Sequence, residues 1–169
     1  LTACPARLVP PPRGSSLAGQ AVNEAVVLDF KRHMSAFVGF DPEAETARAE
    51  PGDGDARLND RLDEHGLKFA PDPAWGDKSV LGGAIGNNTT GAHSLKYGKT
   101  DHDVESCEVV LADGTGTTFG ESSLAQLRAA GDPDGDLEAR IYDAVARLVE
   151  DGADAIEAAY PRLKRNVSG

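Results

Sequence analysis

Positive charge, cysteine and long apolar runs are all scarce in this 169-residue chain. Seventeen Lys and Arg stand against 28 Asp and Glu, a formal net charge of -11, so the overall field repels polyanions and excludes nucleic acid as a natural partner. Asp is favoured over Glu and Arg over Lys, the pattern of a salt-adapted, halophilic proteome. No run of about 18 apolar residues and no signal-peptide pattern occurs, so nothing in the sequence reads as a membrane span or a leader. Cys4 and Cys107 lie far apart without metal-ligand spacing. They read as reduced thiols of an intracellular, cytoplasmic protein rather than a disulfide, with peripheral membrane attachment of a full-length form left open. Cys107, in an apolar strand-like run, reads as packing. No internal repeat or low-complexity tract appears.

Candidate chemistry based on histidine or metal is also thin. His33 and His93 have no Ser, Cys or second His at a recognisable spacing, and a lone histidine is usually structural or exposed. Asp101, His102 and Asp103 are read as adjacent strand residues whose side chains alternate faces, which argues against a metal.

What is present is glycine, concentrated in two stretches. One is Pro12-Arg13-Gly14-Ser15-Ser16-Leu17-Ala18-Gly19-Gln20. The other runs from Pro71-Asp72-Pro73 through Ser79-Val80-Leu81-Gly82-Gly83-Ala84-Ile85-Gly86-Asn87-Asn88-Thr89-Thr90-Gly91 to Tyr97-Gly98-Lys99-Thr100. Small residues and hydroxyls there let main-chain N–H groups approach an anionic ligand without β-carbons in the way, as a pyrophosphate requires. In so acidic a chain, a phosphate-bearing ligand needs such local donors.

Between these stretches, residues 6–9 and 26–30 read as short buried strands, and 44–49 as a half-exposed strand ending at Pro51-Gly52. Asp53-Gly54-Asp55 follows; unpaired carboxylates are costly to bury, which predicts a solvent-facing segment. Residues 56–65 place Leu58 and Leu62 four apart with Gly66 as a stop, the pattern of a helix. Ser79 is expected to cap a short helix over 81–87 that ends at Asn88 or Gly91, a helix weak in propensity because of its glycines. Residues 104–112, Asp113-Gly114 and 116–119 form the clearest hairpin signal. From 136 to 159, Leu137, Ile141, Ala144, Val145, Leu148 and Val149 recur at helical spacing, broken near Gly152, which predicts two surface helices packing on a sheet.

Taken in order, these segments resemble the FAD-binding domain of the FAD-linked oxidase family, the vanillyl-alcohol oxidase and p-cresol methylhydroxylase (PCMH) type. The similarity is greatest to the branch of D-lactate dehydrogenases and glycolate oxidase flavoprotein subunits. It rests on Pro12-Arg13-Gly14 with Ser16 to Gln20, Val27-Leu28-Asp29 with Arg32-His33-Met34, Pro51-Gly52 with Leu58-Asn59, and Gly66-Leu67. It continues through Pro71-Asp72-Pro73, Gly82-Gly83, Asn87-Asn88, Gly91, Tyr97-Gly98-Lys99-Thr100 and Val109 to Gly114, and Arg162 to Gly169 resembles a later segment of the branch.

The resemblance implies an α+β, two-lobed FAD-binding domain, with lobes at about 1–75 and 76–169, here a fragment lacking its substrate domain. Leu1 and the ending at Gly169 agree with such a cut. It implies that main-chain amides of Arg13, Gly14, Ser15, Ser16 and Leu17 bind the FAD pyrophosphate. It further implies that Pro71 and Asp72 lie near the cofactor's centre, that Ser79, Gly82 and Gly83 pack on it, and that Asn88, Gly91 and Gly98 lie toward the flavin. Some relatives attach flavin through a histidine in the first loop; Ser15 and Ser16 stand there in this chain, so FAD is expected to be noncovalent. Valine at Gly82 or Gly83 is expected to abolish FAD retention with the fold intact.

The implied activity is oxidation of a small 2-hydroxy acid such as D-lactate or glycolate, with catalytic residues beyond this chain, an unspecified electron acceptor, and an iron–sulfur segment or subunit as a conceivable partner. Another flavin oxidase or reductase of the same fold, and a non-catalytic acidic interaction module, remain alternatives.

Overall fold

A computed structural model describes residues 8–9, 26–73, 76, 78–160 and 163. They divide into two compact units between Asp103 and Val104, so residues 76–103 group with those before them. Both units mix helix and strand.

In the first unit, β1 (Leu8–Val9) pairs in parallel with β2 (Val26–Val27). The run from Val26 to Phe30, apolar and bounded by polar residues, thus yields a shorter strand than its length suggests. An antiparallel pair follows, β3 (Phe37–Asp41) with β4 (Thr46–Ala49). The half-exposed strand expected at 44–49 is β4, whereas no sequence pattern predicts β3.

Helix α1 (Asp55–Asp63) forms where the Leu58–Leu62 spacing predicts one, and Gly66 at φ +70 ends its turn. Leu58 and Leu62 are buried with Phe69 and Ala84, and Phe37, Phe40, Leu67 and Leu81 pack around them. This cluster is the core of the unit. Helix α2 (Leu81–Gly86) contributes Ala84 to it, and α3 (Ser94–Tyr97) and a 3-10 turn (Thr100–Asp103) complete the unit. Asp101, His102 and Asp103 therefore lie on a helical turn, not on the strand expected for them.

The second unit opens with the expected hairpin, β5 (Ser106–Val110) against β6 (Gly116–Gly120), turning through Gly114 at φ +91. One face carries the half-buried Cys107, Val109, Thr117 and Phe119. Phe119 meets Tyr142 of α5 (Leu137–Asp151) edge to face, with ring centres 5.7 Å apart. Cys107 is a free thiol whose burial pushes its pKa up.

Helix α4 (Leu124–Ala130), unforeseen from periodicity, begins with a capping box in which Ser123 and Gln126 satisfy each other's main-chain N–H groups. Asp136 caps α5 by accepting from the Ala139 N–H at 2.9 Å. After the break at Gly152, α6 (Ala153–Ala159) follows. The packing of α5 departs from expectation: Ala146 is the residue it buries, while Val145, Leu148 and Val149 are exposed. Tyr142 makes the aromatic contact with the hairpin. Among the described residues, no helix is long and apolar enough to cross a membrane.

Candidate functional site

The second glycine stretch can be followed from the backbone upward, beginning with the turn that supports it. Gly52 is buried so closely that a β-carbon would lie 2.6 Å from the Met34 carbonyl oxygen, and its N–H donates to that oxygen at 2.7 Å. Asp53 comes next and is wholly buried, which corrects the expectation of a solvent-facing segment. Arg57 and Arg61, on successive turns of α1, reach its two carboxylate oxygens at 3.1 and 3.3 Å, and the Gly54 N–H donates to it at 3.1 Å. Pairing removes the desolvation penalty that made burial look prohibitive. The signal was in the sequence, as arginines four and eight residues after the aspartate.

Helix α1 also sets the first turn of the stretch. The Asn59 side chain accepts from the Phe69 N–H at 2.7 Å and donates to its carbonyl at 3.3 Å, as a neighbouring strand would. Pro71 follows, fully buried, and then Asp72 in the left-handed region at φ +50. Gly91 lies directly on the carbonyl groups of Pro71 and Asp72, where any β-carbon would overlap them. The Ala92 N–H donates to the Asp72 oxygen at 3.1 Å, and His93 Nδ1 sits 2.9 Å from Asp72 Oδ2. Buried Ser94 closes the arrangement by accepting from the Gly91 N–H through Oγ at 2.9 Å. The structure thus unites Pro71, Asp72 and Gly91, and adds His93, for which the sequence offered no partner.

The other expected residues have protein partners of their own. Gly82 donates to the Pro51 carbonyl at 2.8 Å, and a β-carbon on it would lie 2.7 Å from Pro51 Cβ. Its smallness is therefore used in packing, so valine at Gly82 would disturb the fold, contrary to the expectation of an intact one. Gly83 donates to the Val80 carbonyl inside the first turn of α2. Ser79 does not cap that helix: the N-cap is Val80, and the Ser79 carbonyl accepts from the Asp55 N–H at 3.3 Å.

Asn88, at φ +45, ends α2 in a Schellman arrangement, with Thr89 N–H bonded to the Ala84 carbonyl and Asn88 N–H to that of Ile85. Its side chain accepts from the Asp101 N–H at 3.0 Å, while buried Thr100 bonds the Thr89 carbonyl through Oγ1 at 2.8 Å. Gly98, at φ +94, leaves α3 against the His102 ring, which a β-carbon would approach to 2.8 Å. Arg13, Gly14, Ser15, Ser16 and Leu17 lie outside the described residues.

Two titrations mark this region. The Lys96 ammonium donates to the Tyr97 phenol at 2.8 Å and, through that bond and its charge, holds the phenol below its usual pKa. Partial burial pushes the Asp103 carboxyl up, against a hydrogen bond from the Ala70 main chain.

Residues 3–120 match the model of the FAD binding domain family. The chain belongs to that family. FAD is accordingly its cofactor, and the resemblance carried by the sequence motifs is borne out. The chain is 30% identical over 166 residues to a D-2-hydroxyglutarate dehydrogenase of Pseudomonas putida, covering 96% of this chain and 16% of that protein. It is 32% identical over 112 residues to the glycolate oxidase subunit GlcD of Escherichia coli, covering 66% and 22%. It is 31% identical over 112 residues to the mitochondrial D-lactate dehydrogenase [cytochrome] 1 of Saccharomyces cerevisiae, covering 64% and 19%. The chain thus spans less than a quarter of each of these relatives.

The described residues include uncommon backbone in the second glycine stretch. Asp72 and Asn88, two of the three non-glycine residues with positive φ among those described, fall in this stretch, where Gly91 packs on the carbonyls of Pro71 and Asp72. Uncommon backbone of this kind concentrates where ligands are held.

Proposed function

We propose that this chain is the FAD-binding portion of a flavin-dependent oxidoreductase that oxidises a 2-hydroxy acid. The observation that carries the reading is the family match over residues 3–120 joined to relatives named for D-2-hydroxyglutarate, glycolate and D-lactate. The substrate class is that of these three acids. Bound FAD supplies the electron sink, and the protein supplies orientation and electrostatics.

In this reading the domain has two lobes, with the main chain of Arg13, Gly14, Ser15, Ser16 and Leu17 holding the pyrophosphate. Pro71 and Asp72 lie near the cofactor's centre, Ser79, Gly82 and Gly83 pack on it, and Asn88, Gly91 and Gly98 lie toward the flavin. FAD is held noncovalently, since Ser15 and Ser16 offer no flavin linkage. The residues that bind the substrate carboxylate and take the hydroxyl proton belong to a part of the polypeptide outside this sequence.

The test is twofold. The purified chain, stripped and then titrated with FAD, should recover visible flavin absorption that survives gel filtration and is lost on acid precipitation, as noncovalent binding requires. The full-length protein, assayed with a panel of 2-hydroxy acids and an artificial electron acceptor, should reduce the acceptor with at least one of them. Failure to retain flavin would remove the reading.

A further inference from the structure

Several basic side chains in the described residues lie beside carboxylates: Arg57 and Arg61 by Asp53, His93 by Asp72, Lys99 and His102 by Asp101, Arg128 by Glu150, and Arg147 by Asp143. Lys68 and Lys96 differ. Both ammonium groups lie against a single ring, that of Tyr97, at 5.5 and 4.6 Å from its centre, and Lys96 also donates to the phenol oxygen. Among the described residues, neither has a carboxylate at ion-pair distance.

In a chain with 28 acidic residues this pairing runs against composition. The ring face attracts each cation by about 0.5–1 kcal/mol at an exposed site but neutralises neither, and two like charges beside one ring repel each other. An anion that reached both ammonium groups would offset that repulsion. The phenol, donating nothing to Lys96, keeps its own O–H available as a third donor.

The main chain that carries the two lysines is tied together. Lys68 precedes the Phe69–Asp72 turn and Lys96 lies on α3, and Gly91 and Ala92 join those two segments through Asp72. The main chain beneath both lysines is therefore held, and a ligand would order only their exposed side chains.

We propose that Lys68, Lys96 and the Tyr97 phenol form a subsite for a small oxyanion, a phosphate or carboxylate group. Whether that group belongs to the dinucleotide or to a hydroxy acid rests on the function proposed above; the subsite itself does not.

The flavin-free chain is titrated with inorganic phosphate while ionisation of Tyr97 is followed by phenolate absorbance, with Tyr97→Phe identifying its share. Phosphate should move that ionisation to higher pH, because the anion offsets the Lys96 charge, and sodium chloride at equal ionic strength should do so less. Lys68→Gln and Lys96→Gln should each weaken phosphate binding about fivefold, the size of one exposed ion pair, with unchanged circular dichroism. Lys68→Gln keeps the Lys96 to Tyr97 bond and so preserves the readout. Displacement of phosphate by FAD assigns the subsite to the cofactor, and displacement by D-lactate or D-2-hydroxyglutarate assigns it to substrate. Phosphate binding that neither displaces supports the subsite as one for a different oxyanion, and the proposed function then stands or falls on flavin retention alone. Equal effects of chloride and phosphate, or wild-type phosphate affinity in both glutamine variants, would overturn the subsite.

Discussion

The two units are held together by different means. Residues 51–103 rely on main chain pressed against main chain and on buried polar groups, with Gly52, Gly82 and Gly91 each placed where a β-carbon would strike another segment and with Asp53, Ser94 and Thr100 buried. Residues 104–160 share such a contact where Gly131 meets the Asp143 main chain, but rely mainly on regular elements with local signals: a tight hairpin, a capping box and an aspartate cap. The first kind of structure fixes particular atoms and tolerates little change. The second distributes its stability over many weak, local terms and should tolerate more.

Substitutions can break or sharpen that contrast. Gly91→Ala should have the largest effect, destabilising by about 3 kcal/mol because the methyl group must force Pro71 and Asp72 away; urea unfolding followed by circular dichroism measures it. Asp53→Ala should cost about 2 kcal/mol, leaving two half-exposed guanidinium groups and the Gly54 N–H without their acceptor. In the other unit, Asp136→Ala removes one cap from α5 and should cost about 1 kcal/mol. A loss at Asp136 equal to that at Gly91 would abolish the distinction between the units.

The smallest effect is expected at Asp103 and depends on pH. Folding raises its carboxyl pKa, so its stabilising contribution is complete below the unfolded carboxylate range and is lost as pH rises through the native value. Asp103→Asn removes this titration while keeping an acceptor for Ala70. The stability of the variant relative to wild type should rise between about pH 3 and about pH 7. A flat difference across that range would show that the carboxyl is not penalised by folding.

The same contrast explains what could be read from the sequence. Hairpin residues Asp113-Gly114, the Leu58–Leu62 spacing and the break at Gly152 are local patterns, and each element appeared where the pattern placed it. Strand β3 escaped notice because Gly39 interrupts its alternation, and α3 is too short for any periodicity to show. Ser123 and Gln126 did carry a capping-box signature for α4, at a spacing that the apolar pattern alone does not reveal. In the candidate site, the residue types were legible but their partners were not. Gly91 meets Pro71 and Asp72 across a stretch that includes a whole helix, and no local spacing encodes such a meeting.

The seating of Gly91 on Asp72 also has a mechanical side. A steric stop on one flank, a hydrogen bond from Ala92 and the His93 contact leave the Pro71–Asp72 turn and the start of α3 no independent travel. Whatever displaces one of these segments is delivered to the other as a joint shift, so a ligand touching the turn should register in the amide resonances of Ala92 and Ser94 without touching either.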